Sequence, residues 1–388
     1  MSNDFRRGMA CPICAKAATT SVFSRAFVPL YNLKRHLSRA CALNAHTGNV
    51  EFRYCPACQF LFNAAFDADL MSYQVDYDSS RASSRYFNQY LAGVATEVNR
   101  AFAVEGKTVV EVGSGDGQFL RMLHEKFGAE AIGFEPNVGP TANYGSVPIV
   151  RGYYEPSGIK RVPYLIVLRH IMEHQGDPHA FLGSILTANS AYRPYHVYIE
   201  VPDAGWVVRN DQLYAFSYEH CSYYSATAMQ RLLAGYGYSV TTRYTFEDEY
   251  LQVFASRDGN HSKAGPGEKT ATDRAVEGFC ERMPEVFDRL AGYFAGDCSR
   301  TVLWGAGGKG TMLLNVLGLD YRRLPYVVDS NPNRHGTYIP VMGQKVVAPA
   351  DLKRIKPRRV LLTNPSYTTE IRATLDQVGV ESEVVVVA

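Results

Sequence analysis

The 388-residue chain lacks a surplus of either charge: 40 Lys and Arg stand against 38 Asp and Glu, a formal net charge of +2. That balance gives no extended field for gripping nucleic acid or an anionic membrane, so a small-molecule partner is expected. No run approaches the roughly 20 apolar residues of a membrane span. The opening MSNDFRRGMA has no apolar core of signal-peptide length, and a soluble cytoplasmic protein is expected. Cysteine is sparse, eight residues in all, which excludes the dense disulfide framework of a small secreted domain. A chain of this length exceeds what one hydrophobic core supports, and two or three domains are expected.

Four of the cysteines form two knuckles, CPIC (11–14) and CPAC (55–58). A two-residue spacing lets both thiolates of a knuckle reach one tetrahedral ion, and two knuckles close a four-sulfur shell. Cys11, Cys14, Cys55 and Cys58 are the expected ligands of a structural zinc ion, with His36, Cys41 and His46 the local substitutes. No ligand position is left for water, so this zinc would hold a small module together rather than do chemistry.

After the module, YQVDYDSSRASSRYFNQYL (73–91) passes from loop-like letters into an amphipathic helix carrying Tyr86, Phe87, Tyr90 and Leu91. A β-loop-α unit follows at KTVVEVGSGDGQFLRMLHEKFG (107–128). Its β-branched run enters a Gly-rich turn, and Phe119, Leu120, Met122, Leu123 and Phe127 then recur at helical spacing. Gly113, Gly115 and Gly117 permit a tight turn and let a ligand lie against backbone amides at the helix N-terminus. The next strand, EAIGFEP (130–136), ends in Glu135 and Pro136, with Glu135 twenty residues after Gly115. An acid at the tip of the second strand accepts the two hydroxyls of a ribose. Glu111 precedes the first glycine and Asp116 lies within the turn, where a pyrophosphate would be repelled and a cationic ligand favoured. The form E-V-G-S-G-D-G resembles motif I of class I S-adenosylmethionine methyltransferases. That resemblance implies cofactor contacts from Glu111, Gly113, Gly115, Asp116, Gly117, Glu135 and Pro136.

Strands continue at YLIVL (164–168) and HVYIEVPD (196–203), and ligands sit at such strand ends in open α/β sheets. After the first come His170, Glu173 and His174; His170 and Glu173 read as a solvated helix start, and His174 reads equally as solvated or functional. After the second comes FSYEHCSYYS (216–225), in which Glu219 and His220 stand together among aromatic residues. Tyr218 and Tyr223 offer flat surfaces for a polar ring beside that pair. Ser225 then caps a helix whose Met229, Leu232 and Leu233 share one face.

A Gly-, Lys- and Ser-rich linker at 257–273 marks a domain boundary. A second strand, Gly-rich turn and helix appear in TVLWGAGGKGTMLLNVLGL (301–319). Here G-A-G-G-K-G does match the dinucleotide pattern, with Asp329 nineteen residues after Gly310. Taken literally that is a nicotinamide site, and the rival expectation is an NAD(P)-dependent oxidoreductase or a bifunctional methyltransferase-reductase. Lys309, within the turn, suits a substrate diphosphate instead, and Asn364 ends a nearby strand. The expected order is a zinc module at 1–72, a cofactor domain at 73–256, linker and helix at 257–298, and a smaller Rossmann-like α/β domain at 299–388.

The order of these features, with Y-x-x-S at 77–80, an E-H followed by S-Y-Y-S, and D-x-x-P-x-x-x-G-x-x-x-P from Asp329, resembles the zinc-containing sugar C-methyltransferases of deoxysugar biosynthesis. The resemblance implies an S-adenosylmethionine-dependent enzyme that methylates a carbon next to a ketone in a nucleotide-linked sugar. It places Tyr77 near the sugar, His174 near the methyl-transfer site, Glu219 and His220 as an acid-base couple, and the nucleotide on the C-terminal domain. One position departs: Ser217 and Tyr218 stand where that family has a tyrosine and a histidine before the Glu. A serine hydroxyl is too weak an acid to replace a phenol. The base is then His220 or Tyr77, and an oxygen or nitrogen acceptor is the alternative.

Overall fold

The structure, a computed structural model, describes residues 10–71, 77, 81–138, 145–156, 159, 162–186, 193–257 and 271–387. Of the segments singled out above, 73–76, 78–80, most of the linker (258–270) and Ala388 lie outside the described residues.

The N-terminal module contains β1 (Thr20–Pro29), α1 (Arg39–Leu43), β2 (Thr47–Cys55) and β3 (Phe60–Asn63). Its strands pair antiparallel in chain order. The second cysteine knuckle forms the turn between β2 and β3, and Gln59 closes that turn at φ 58°.

The central part runs α2 (Arg85–Phe102), β4 (Thr108–Val112), α3 (Gln118–Phe127), β5 (Glu130–Glu135), β6 (Ile149–Arg151) and β7 (Leu165–Arg169). It continues with α4 (Pro178–Leu186), β8 (His196–Pro202), α5 (Ala204–Arg209), β9 (Ser222–Tyr223), α6 (Ala226–Ala234), β10 (Ser239–Thr245) and β11 (Tyr250–Ser256). Seven strands form one sheet in the order β10-β11-β8-β7-β4-β5-β6. The five from β6 to β8 are parallel, and β11 runs antiparallel between β8 and β10. Helices cover both faces, so β4 is buried throughout and β7 up to Arg169, and both are mainly apolar rather than alternating. Ser84 caps α2 by accepting from the Phe87 amide, and Ser225 caps α6 by accepting from that of Ala228.

The C-terminal part comprises α7 (Ala271–Gly292), β12 (Thr301–Trp304), α8 (Gly308–Leu317), β13 (Tyr326–Val328), β14 (Lys345–Val347), α9 (Leu352–Ile355), β15 (Arg359–Leu362), α10 (Thr368–Val378) and β16 (Glu383–Val386). Its five strands are all parallel, in the order β14-β13-β12-β15-β16. Among the described residues no helix is long and apolar enough to cross a membrane.

The three parts share packing. Strand β9 adds to the N-terminal sheet beside β3, pairing Leu61 with Tyr223 and Phe62 with Ser222. One apolar core runs from Val22 and Phe52 through Leu213 and Phe216 to Phe279 and Leu313. Phe216 is its hub, with ring centroids 4.8 Å from Phe52, 5.2 Å from Phe23 and 5.8 Å from Phe279. Much of the aromatic run in 216–225 is therefore packing that joins the modules.

Gly310 allows α8 to approach its own strand: a Cβ there would collide with the Gly305 carbonyl oxygen, the packing function of the third glycine in such turns. Gly310→Ala should therefore cost about 1–3 kcal/mol by overpacking. Thermal unfolding checks this, and an unchanged midpoint would show that α8 relaxes freely.

Candidate active site

The parallel strands β4, β5, β7 and β8 end at one edge, and there the chain encloses a cavity of about 1430 Å³. Single-ligand pockets run to roughly 300–1,000 Å³, so this volume accommodates two ligands side by side. All three parts contribute to the wall: Asn32 and Leu33 from the N-terminal module, Gly113 to Asp116 and Glu135 from the central sheet, and Lys309 and Asp329 from the C-terminal one.

At the cofactor end the turn after β4 holds Gly113, Gly115 and Gly117 at φ 71°, 55° and 71°, so each backbone uses the left-handed region open to glycine. Glu135 secures this turn, its carboxylate accepting from the amides of Gly115 at 3.0 Å and Asn137 at 2.9 Å. Asp116 is exposed and accepts from the Gln118 amide at 3.0 Å. Pro136 also lines the cavity. Glu111 is buried, and its Oε2 has no hydrogen-bond partner among the described residues. Burial pushes its carboxyl up to about 8, although Arg169 stands 4.0 Å away. An orphaned buried acceptor beside an acid-lined glycine turn is what an amino-bearing cation requires. S-adenosylmethionine carries such a charge, and Glu111 and Asp116 would face it.

Beyond this edge the residues of 216–225 separate. Glu219 is buried; its Oε1 accepts from the Asn32 amide at 3.1 Å and its Oε2 from the Tyr77 hydroxyl at 3.0 Å. Burial raises its carboxyl above the usual range. His220 has other neighbours. Its ring stands 4.8 Å edge-on from that of His174, and donor atoms of Glu173, His174 and His220 lie within 4.8 Å of one another. Burial, and then the nearby His174, push the His220 imidazole down to about 3. The two adjacent residues thus do not form one hydrogen-bonded couple: Glu219 is bonded to Tyr77 and Asn32 rather than to His220.

Two further expectations are corrected. Tyr218 does not line the cavity: its ring is buried against Phe66, and its hydroxyl donates to the Asp67 carbonyl and accepts from the Asp67 amide. Nor is 170–173 a solvated helix start. His170 sits at φ 53°, with Nδ1 3.3 Å from Glu173 Oε1 and Nε2 3.1 Å from Glu200 Oε1, and Glu173 is 1% exposed. Glu200 also meets Arg169 at 2.9 Å and Tyr198 at 2.8 Å. These partners lie on β7 and β8, and no local pattern announces them. Tyr223 does reach the cavity wall, with its hydroxyl donating to the Ala215 carbonyl.

On the C-terminal side, Lys309 pairs with Glu249 at 2.8 Å and lies 4.7 Å from the centre of the Trp206 ring. Asn364 donates to the other oxygen of Glu249 at 3.1 Å. Glu249 precedes β11 and was not signalled by any motif, yet it joins the central sheet to the C-terminal one. Asp329 turns back on its own loop, accepting from the amides of Ala306 at 2.7 Å and Asn331 at 2.8 Å. Arg334 donates to the Ala306 carbonyl at 2.7 Å. Both Asp329 oxygens thus brace their own turn, as those of Glu135 do in the central sheet.

Away from the cavity, the Sγ atoms of Cys11, Cys14, Cys55 and Cys58 all lie within 4.8 Å of one another, with Cys11 to Cys58 at 3.4 Å and Cys14 to Cys55 at 3.5 Å. Cys41 is exposed on α1, outside this cluster. The four sulfurs can hold one metal ion.

The sheet order, the acid-lined glycine turn and the acid at the next strand tip define an S-adenosylmethionine-dependent methyltransferase. Two stretches of the chain match known domain families. Residues 85–243 match a methyltransferase domain and residues 274–388 match the C-methyltransferase C-terminal domain. It is similar to the C-methyltransferase NovU of Streptomyces niveus, 24% identical over 298 residues that cover 71% of this chain and 70% of that protein. Among solved structures, a SAM-dependent methyltransferase from Archaeoglobus fulgidus is 15% identical with a TM-score of 0.35, over 45% of this chain and all of that one. Magnesium protoporphyrin IX methyltransferase from Synechocystis, solved with bound SAH, is 13% identical with a TM-score of 0.35, over 45% of this chain and 84% of that one.

The state of His220 has a thermodynamic consequence. Its folded pKa of about 3 lies below the ordinary value of 6.5, so the unfolded chain binds a proton that the folded chain refuses. The stabilisation is present above the unfolded pKa and is lost as pH falls from 6.5 towards 3. Urea titrations should show wild-type stability falling more steeply than that of His220→Gln over this window, by at most about 1.4 kcal/mol per pH unit. Parallel slopes would show that His220 is protonated in the fold.

Proposed function

We propose that this methyltransferase acts on a carbon next to the ketone of a nucleotide-linked sugar, and that Cys11, Cys14, Cys55 and Cys58 hold a structural zinc ion. The observation that carries the reading is the half-buried Tyr77–Glu219 hydrogen bond, set beside His220 and His174 in a cavity that extends from the cofactor turn to Lys309. The C-methyltransferase C-terminal domain at 274–388 supports a carbon acceptor.

Bound S-adenosylmethionine would supply an electrophilic methyl group on a sulfonium. A carbon acceptor becomes nucleophilic only as an enolate, which needs a base for the C–H proton and a donor for the developing oxyanion. His220, kept neutral by burial, is the base. Tyr77 is the donor. Its hydroxyl points to Glu219 in the free protein, and Glu219, whose carboxyl burial raises, can take the donor position and free the Tyr77 hydrogen for the substrate oxygen. His174 walls the same space from the end of β7. Lys309, already drawn to the carboxylate of Glu249, offers positive charge to a substrate diphosphate, with Asn364 beside it. Tyr223 presents part of a ring to the sugar.

Zinc fits the cysteine cluster on chemical grounds. Four sulfurs within 4.8 Å of one another, most of them buried, form the tetrahedral thiolate set that a structural zinc ion takes. Freshly purified protein should carry about one zinc per chain, and Cys55→Ser should lower the melting temperature while leaving cofactor affinity intact. Zinc-free protein would refute the assignment.

With a 4-keto nucleotide sugar in deuterated water and no methyl donor, wild-type protein should exchange the proton next to the ketone. His220→Ala should slow that exchange about 10²- to 10⁴-fold. Undiminished exchange in His220→Ala would move the base elsewhere.

A further inference from the structure

The reading of His220 as the base leaves it without its expected carboxylate, since both oxygens of Glu219 are engaged with Asn32 and Tyr77. Among the described residues, the carboxylate grouped with the His220 ring is that of Glu173. Glu173 is 1% exposed, lines the cavity, and has one oxygen, Oε2, with no hydrogen-bond partner among the described residues. Its other oxygen is tied to His170 Nδ1, and His170 is tied in turn to Glu200. Glu200 meets Arg169, which approaches Glu111 in the cofactor turn. A line of alternating charge thus runs along the strand ends from the cofactor site to the two imidazoles.

We propose that Glu173 is the positioning residue for His220 and His174, held from behind by His170 and the Arg169–Glu200 pair. A buried carboxylate with one anchored and one open oxygen selects which ring nitrogen of a neighbouring histidine carries the proton, as the acid of a catalytic triad does. The anchor explains how it persists in the fold. Burial alone would neutralise the carboxyl, yet the hydrogen bond from His170 and the charge of that ring hold Glu173 below its usual range. Burial likewise opposes protonation of His170, but its bonds to Glu173 and Glu200 raise its pKa above the ordinary value. The left-handed backbone at His170 aims that ring back between β8 and the 172–174 turn.

The effect on turnover rests on the proposed chemistry, whereas the ring tautomers are read without substrate. Selective ¹⁵N labelling of the ten histidines allows ring tautomers to be read from long-range ¹H–¹⁵N spectra of the ligand-free protein at neutral pH. Wild-type His220 and His174 should each show one dominant tautomer, and in Glu173→Gln their ring-nitrogen shifts should move toward the mixed-tautomer average. Turnover should fall about 10- to 100-fold with KM unchanged. Should Glu173→Gln not fold, His170→Asn tolerates the positive φ while removing the anchor, and should loosen the same two rings. His220 and His174 signals identical to wild type in a folded variant would overturn the inference, even if the enzyme methylates the sugar. Altered tautomers in an enzyme that neither exchanges nor methylates a keto-sugar would instead refute only the acceptor assignment.

Discussion

The carboxylate of Glu219 lies where water does not reach, and a buried anion or acid must find hydrogen-bond partners locally or cost several kcal/mol. Its partners come from far along the chain. The Asn32 amide arrives from the N-terminal module, and the Tyr77 hydroxyl from the segment that leaves it. The carbonyl of the same Asn32 lies 3.4 Å from the Thr311 hydroxyl on α8, so one backbone unit connects the acid to the C-terminal domain. The β3–β9 pairing fixes the chain just beyond Glu219, and Phe216 packs into the shared core just before it. The carboxylate therefore ties the N-terminal module to the central part, and Asn32 links both to α8. The cysteine knuckle at the β2–β3 turn is thereby linked to the active site through only a few residues.

A second set of buried charges works in the opposite sense. Glu111, Arg169, Glu200, His170 and Glu173 are charged or chargeable groups packed along the strand ends, and each carboxylate except Glu111 has a close cationic partner. Burying such groups is tolerated when they pair, and removing one partner is more costly than never having had the pair. Glu111 is the open end of this line. Its carboxyl is raised by burial, and a cationic ligand beside it would restore the charge balance.

Legibility in the sequence followed the range of the interaction. The cysteine knuckles, the glycine turn and the acid at the tip of β5 are set by spacing within a few residues, and the parallel strands announce themselves as apolar runs. Adjacency cannot show the partners of Glu219 and His220, because neighbouring side chains leave the backbone in different directions: one meets Tyr77, the other His174. Tyr218 looked like a substrate surface because aromatic letters cannot show whether a ring faces a cavity or Phe66. His170 and Glu173 resembled a solvated turn because their anchor, Glu200, arrives from another strand. Asn32 and Glu249 carry no local signal, for their importance lies in contacts with residues distant in sequence.

The central claim is that Glu219 acts through Tyr77 and not through its neighbour His220. A double-mutant cycle on turnover, with Tyr77→Phe and Glu219→Gln, tests it most directly. If the two groups form one unit, the double variant should lose little more activity than the worse single variant. Additive losses for this pair, with strong coupling of Glu219→Gln to His220→Ala instead, would contradict the account.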